Sequence, residues 1–280
     1  MNHSTGKCVF RKSFARAVSF SVGLWILWTS LCFAQSPYQT NAIQEAVLTA
    51  GGGGLLFLGH LFEENLEPLT PSDIDNLSKD DVNGFDRWVW SNWSPDAATA
   101  SDLFLYGNLT LPLTLLFSSE IRGDAGLVGW MYLETLMLTS AGMLLSKALV
   151  GRTRPFAYNP DVDIEDKIMD NDARKSFYSG HTALAFSSAV FFSKVLSDYY
   201  PESRWIKVVW GGSLGVAALV GFLRMQAGKH FPTDVLAGAV MGGVTGYLVP
   251  FLHESDRKNK AAIFPSTKKN VTVITFVLHF

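Results

Sequence analysis

The strongest constraint on the fold is a succession of apolar runs that carry almost no charge. Residues 103–119, 125–146 (interrupted by Glu134), 182–193, 208–223 and 235–252 are five such runs. They exceed strand length and are bounded by polar or Gly/Pro-containing stretches, which predicts helices. Several fall short of the about 20 residues that a bilayer core needs, so a membrane-embedded bundle and a buried bundle in a water-soluble protein both fit. A mean hydropathy of +0.17 is compatible with either. Gly211, Gly215, Gly238, Gly242 and Gly246 stand at spacings that let helices approach closely. The fold expected is all-α, a membrane-embedded bundle of about six helices.

Ahead of these runs the chain looks like an exported one. Lys7, Arg11, Lys12 and Arg16 precede the uncharged residues 17–33, and Cys32-Phe33-Ala34 before Gln35 is a small-x-small cleavage pattern. Residues 1–34 are thus expected to be a signal peptide or a signal anchor. Leu31 occupies the place where a lipobox needs Gly, Ala or Ser, so lipoprotein processing is not expected. Both cysteines, Cys8 and Cys32, fall in this leader, and a cleaved product has no disulfide, thiol nucleophile or thiolate metal site.

Residues 35–100 read as a helical and polar segment. Residues 42–62 are uncharged except for Glu45 and predict a helix, although Gly51 to Gly54 cost it roughly 1 kcal/mol each relative to alanine. Packing is the role expected for those glycines. Residues 63–101 carry acids, prolines, Trp88, Trp90 and Trp93 and form a polar excursion with an amphipathic aromatic element. Its DDVNGFD stretch lacks the ligand spacing and distal glutamate of a calcium loop. The helical core is placed at 101–252 and a tail at 253–280, where NVTVITFVLHF alternates like a strand paired locally. A net charge of −2, with no basic face beyond the cations discussed next, argues against nucleic acid as a partner.

Three short stretches carry the chemistry. In RMQAGKHFPTD, His230 and Asp234 are four apart, so a helix opened by Phe231-Pro232 puts both on one face, within hydrogen-bonding reach. A carboxylate there fixes the tautomer of a nucleophilic histidine, and Arg224 can hold an anionic substrate in line. In KALVGRTRP, Lys147 and Arg154 are two helical turns apart, and Pro155 ends the helix. In SFYSGHT, His181 follows a Ser179-Gly180 turn whose backbone N–H groups can face an anion. Lys147, Arg154 and Arg224 crowd the site with positive charge that repels a metal cation, so no metal and no cofactor are expected there. Arg152, His60, Glu134 and Tyr178 are given no role.

These three blocks, in this order, resemble the type 2 phosphatidic acid phosphatase superfamily, which shares its fold with vanadium haloperoxidases and bacterial class A acid phosphatases. That family shows K-x6-R-P, then P-S-G-H, then S-R-x5-H-x3-D. Tyr178 stands where the family usually has proline and Leu223 where it usually has serine, which puts substrate preference and rate in question. The resemblance implies a metal-independent phosphatase acting on phosphate monoesters or diphosphates of lipids. His230, oriented by Asp234, would form a phosphohistidine and His181 would protonate the leaving oxygen. Lys147, Arg154, Ser179, Gly180 and Arg224 would bind the phosphate. A soluble periplasmic acid phosphatase and a vanadium-dependent haloperoxidase are the alternatives, and the oligomeric state is not legible.

Charge suggests an orientation. If the leader is the first span and residues 42–62 do not cross, the five later helices place Lys147, His181 and His230 outside the inner membrane. Arg122, Arg204, Lys207 and the basic residues 257–269 then lie inside. If the leader is cleaved and residues 42–62 do cross, six alternating spans put the site inside.

Overall fold

The structure is a computed structural model that describes residues 36–255, 261–268 and 271–278. The leader expected at 1–34 lies outside them. Helix α1 (Ala42–Glu64) is followed by a short α2 (Pro71–Asp75), two 3-10 turns and α3 (Pro95–Thr110). Next come a 3-10 stretch (Leu111–Phe117), α4 (Ser119–Arg122), α5 (Ala125–Val150), and the short α6 (Pro155–Tyr158) and α7 (Ile164–Met169). The chain closes its bundle with α8 (Gly180–Tyr199), α9 (Ile206–Gln226) and α10 (Pro232–Leu252). Beyond it, β1 (Ala261–Lys268) pairs antiparallel with β2 (Val271–Leu278), Lys268 opposite Val271, so the alternating tail finds its partner locally.

Local chemistry explains the helix ends. The Ser94 side chain caps α3 by accepting from Ala97 N, and Pro95 fills its first turn. Pro112 cannot donate a hydrogen bond, and the 103–119 run accordingly divides between the last part of α3 and a 3-10 stretch. Gly151, at φ +56, ends α5 with its N–H on the Lys147 carbonyl.

Helix α8 is the central rod, buried along most of its length and packed against α10, α9, α5 and α3. Its contact with α10 is backbone to backbone. A Cβ on Gly238, Gly242 or Gly246 would sit 2.5, 2.1 and 2.4 Å from the carbonyl oxygens of Ser179, Ala183 and Ser187. Those three glycines do what their spacing suggests. Gly211 and Gly215 do not, because nothing lies within 4 Å of where their Cβ would be. In the four-glycine run of α1, Gly52 meets Met137 and Leu138 of α5, whereas Gly51 and Gly54 face open space.

Helix α1 lies along α5 in parallel, Gly52 beside Met137 and Gly59 beside Leu144. Residues 42–62 thus pack within the bundle. The stretches Ala42–Glu64, Ala125–Tyr158, Ile206–Gln226 and Pro232–Leu252 are long and apolar enough to cross a membrane. Their outer faces expose Phe57, Leu61, Leu133, Val208, Phe222, Val240, Val244 and Leu248. Such a contiguous apolar belt suits lipid and not water, so the chain is a membrane protein.

Candidate active site

One end of the bundle collects the chemistry-bearing residues, since α1, α5 and α9 end there while α3, α8 and α10 begin there. His230 follows Gly228, whose φ of +69 turns the chain tightly. A Cβ at Gly228 would lie 2.0 Å from the Asn92 carbonyl oxygen. Pro232 then opens α10 and places Asp234 in its first turn. Ser179 caps α8, and its hydroxyl shares a hydrogen bond with Thr182 at 2.8 Å. Ser179 N donates to the Asp234 carbonyl at 3.0 Å, which pins the starts of α8 and α10 together.

His230 is 1% exposed, and its Nδ1 donates to the Ser176 carbonyl oxygen at 2.7 Å. This corrects the expected pairing with Asp234. The Asp234 carboxylate instead accepts from Ser176 Oγ at 2.6 Å, from Phe231 N at 2.9 Å and from Arg152 at 2.5 Å. Asp234 thus orients His230 through Ser176, whose carbonyl fixes the tautomer and leaves the imidazole lone pair on Nε2. Burial, then the charges of Arg154, Arg224 and Lys147, hold the His230 pKa well below the usual imidazole value. The ring is neutral at neutral pH, as a nucleophile must be.

Arg154 and Arg224 are 4% and 6% exposed. Arg154 reaches Asp172 at 3.4 Å; Arg224 touches Ser101 Oγ at 3.3 Å and Asp102 at 3.7 Å. Both arginines keep a buried Nε–H with no acceptor. Unpaired buried donors are costly, and two of them on arginines whose charges both act on His230 mark a place where an anion belongs. Lys147 lies near enough that its charge also acts on His230. Glu45, Glu134 and His253 form a separate carboxylate and imidazole cluster, away from this one.

The polar stretch 63–101, opaque in the sequence, closes over this end. Arg152 bridges Asp86 at 2.7 Å and Asp234, and its NH1 also donates to Thr233 Oγ1 at 2.8 Å. Burial alone would raise Asp86, but hydrogen bonds from Arg152 and Thr233 outweigh it and hold the carboxyl below its usual range. Arg152, left without a role in the sequence, is a keystone here. His181 Nε2 pairs with Asp102 Oδ1 at 2.8 Å, so a carboxylate on α3 faces the second histidine. Asp102 was also missed; the Ser94-Pro95 cap, which moves the helix start forward to include it, was the available signal. Lys229 binds Asp170 at 2.8 Å and lies over Phe156 and Trp93, while Lys175 reaches Glu63 at 3.1 Å. Tyr178 is buried, with its hydroxyl close beside Gly142 of α5.

Residues 128–257 match the profile of the PAP2 superfamily. A lipid A 4'-phosphatase of Bacteroides thetaiotaomicron is 32% identical over 113 residues, which cover 38% of this chain and 44% of that protein. Another lipid A 4'-phosphatase, of Porphyromonas gingivalis, is 29% identical over 171 residues, or 60% of this chain and 64% of the relative. The chain thus spans between about half and two thirds of the length of these relatives. Among solved structures, LpxE of Aquifex aeolicus is similar at 26% identity with a TM-score of 0.40, covering 58% of this chain and 90% of that one.

Proposed function

We propose that this chain is a lipid phosphate phosphatase that hydrolyses phosphate monoesters or diphosphates through a phosphohistidine on His230, without a metal. The observation that carries the reading is the pair of unpaired Nε–H donors on Arg154 and Arg224 beside a neutral, buried His230. His230 Nε2 attacks phosphorus, and the bond to the leaving oxygen breaks as that oxygen takes the proton of His181. Water then attacks the phosphohistidine and gives its proton to His181, freeing phosphate. Asp234 positions His230 through Ser176, and Asp102 accepts from His181 Nε2–H, which favours the protonated ring and leaves Nδ1–H to serve the leaving oxygen. Lys147, Arg154, Arg224, Ser179 and the Gly180 N–H stabilise the charge on the equatorial oxygens.

A lipid substrate follows from the apolar belt around the site and from the names of the two relatives. The site faces the outside of the inner membrane on this reading. Arg122 on α4, Arg204 in the turn before α9 and Lys207 in its first turn gather at the far end of the bundle, where retention inside favours them. Charge carries that orientation; with residues 42–62 crossing, it requires that the segment ahead of α1 stays inside, contrary to the leader expected at 1–34.

The test is phosphate release from a lipid A-type phosphate, phosphatidic acid, an isoprenoid diphosphate and a soluble aryl phosphate. It is run with chelator, well below the unfolding temperature. Hydrolysis of a lipid substrate, inhibited by vanadate and passing through an acid-labile phosphoenzyme, is expected. Activity that needs added metal would overturn the metal-free mechanism, and a preference for the aryl phosphate would overturn the lipid assignment. For orientation, Cys8 and Cys32 are replaced by serine and a thiol is placed at Asp163 or at Glu202. A membrane-impermeant reagent should reach only Asp163→Cys from outside, and labelling of Glu202→Cys alone inverts the proposal.

A further inference from the structure

At the end of the bundle opposite His230, three side chains from three helical segments converge. Glu45 comes from the first turn of α1, Glu134 from α5 and His253 from the residue that caps α10. One ligand atom of each lies within 4.8 Å of the others. Glu134 is 1% exposed and His253 fully buried.

Every outward-facing polar atom of this trio is already engaged. His253 Nδ1 donates to the Val249 carbonyl at 2.8 Å, which leaves the lone pair of a neutral ring on Nε2. Glu45 Oε2 accepts from the Trp130 indole N–H at 2.8 Å, and Glu134 Oε1 accepts from the Thr49 hydroxyl at 3.3 Å. The inner atoms are thereby turned toward one another. Glu45 Oε1 lies 2.8 Å and Glu134 Oε2 3.4 Å from His253 Nε2. Glu134 Oε2 has no hydrogen-bond donor.

Three lone-pair atoms facing each other need a positive charge between them. A proton on Nε2 would serve Glu45 and leave Glu134 Oε2 buried, charged and without a donor. A divalent cation serves all three at once and makes the cluster neutral. Metal-bound histidines characteristically donate their other ring nitrogen to a carbonyl, and metal-bound carboxylates are themselves held by hydrogen bonds, as both are here. For bonds of about 2.1 Å, ligand atoms stand about 3 to 4 Å apart, close to the separations present.

We propose that Glu45, Glu134 and His253 bind one divalent transition-metal cation, zinc or manganese by the character of one imidazole and two carboxylates. The ion fastens α1 to α5 and to the end of α10, far from the phosphate cluster, and takes no part in turnover. The proposal does not rest on the phosphatase reading.

The full chain, purified through a tag without histidines, is stripped with chelator and re-equilibrated with zinc or manganese; bound metal is then counted by mass spectrometry and Tm recorded. One metal per chain and a higher Tm than the stripped protein are expected. Glu134→Gln and His253→Gln should lose the metal. Glu45→Gln, on the half-buried outer side, serves if those two fail to fold. Trp130→Phe should weaken binding by roughly 10- to 100-fold, the usual consequence of removing a hydrogen bond to a ligand. No stoichiometric metal in the wild type, or metal retained by the ligand variants, would overturn the proposal.

Discussion

Helix α10 carries Asp234 in its first turn and ends against His253, while α5 carries Glu134 in its first half and Lys147 in its last turn, so the same two rods hold two clusters of opposite character. At the phosphate end, Arg154 and Arg224 each keep a buried Nε–H without an acceptor. At the far end acceptors are in surplus, and Glu134 Oε2 has no donor. Buried polar groups are ordinarily satisfied, so each imbalance points to a ligand of the missing sign. An anion fits the first and a cation the second. A membrane bundle can hold both because the apolar belt between them keeps the clusters apart.

The comparison breaks most decisively at His230. His230→Ala should reduce turnover on the order of 10⁴-fold or more and abolish the phosphoenzyme, because the attacking atom itself is lost. A rapid-quench assay checks this, and a surviving phosphoenzyme would move the nucleophile elsewhere. Arg224→Ala or Arg154→Ala removes one of the surplus donors and should cost about 10²- to 10³-fold in kcat with weakened vanadate inhibition. Normal vanadate affinity in both variants would mean that those free donors are not an anion site.

Asp102→Asn should slow poor leaving groups by roughly 10- to 100-fold and good ones less, since His181 matters most where a proton must be delivered. Equal losses on both would assign Asp102 to stability alone. Arg152→Ala leaves Asp86 and Asp234 buried without their cation, and unfolding in detergent should show about 3 kcal/mol lost.

The smallest effect is a pH dependence. The folded protein holds His230 neutral well below the ordinary value of 6.5, whereas the unfolded chain protonates it near there. As pH falls below about 6.5 the unfolded state takes up a proton that the folded state refuses, so stability drops by at most about 1.4 kcal/mol per pH unit until the folded pKa is reached. Above pH 7 this contribution is fully present. In His230→Gln, Tm should fall less steeply between pH 6.5 and 5.

Much of the helical core was legible in the sequence. Apolar periodicity located α5, α8, α9 and α10 to within a few residues at most ends, and Gly238, Gly242 and Gly246 marked the face where α10 meets α8. Gly211 and Gly215 show the limit, because spacing says which residues share a face and not what that face meets. Motif order likewise named Lys147, Arg154, His181, Arg224, His230 and Asp234, and the bundle brings their helix ends together. It did not name the residues that hold them.

Helix formation and capping act between residues up to about four apart, so a linear pattern records them directly. The hydrogen bonds of the site are different in kind. Asp102 meets His181 across 79 positions and Asp86 meets Thr233 across 147. Nothing in the local spacing of either partner encodes such a pairing. The same holds at the far end, where Glu45 and His253 are 208 positions apart. His230 and Asp234 are the sharpest case. Their four-residue spacing placed both correctly at the start of α10, yet the acceptor for the imidazole is the Ser176 carbonyl, brought in from the loop before α8, 54 positions away. The sequence determined the helices, their order and the cations at their ends. Only the packed bundle decided which buried group faces which, because burial forces each donor toward whichever acceptor the neighbouring helix happens to bring.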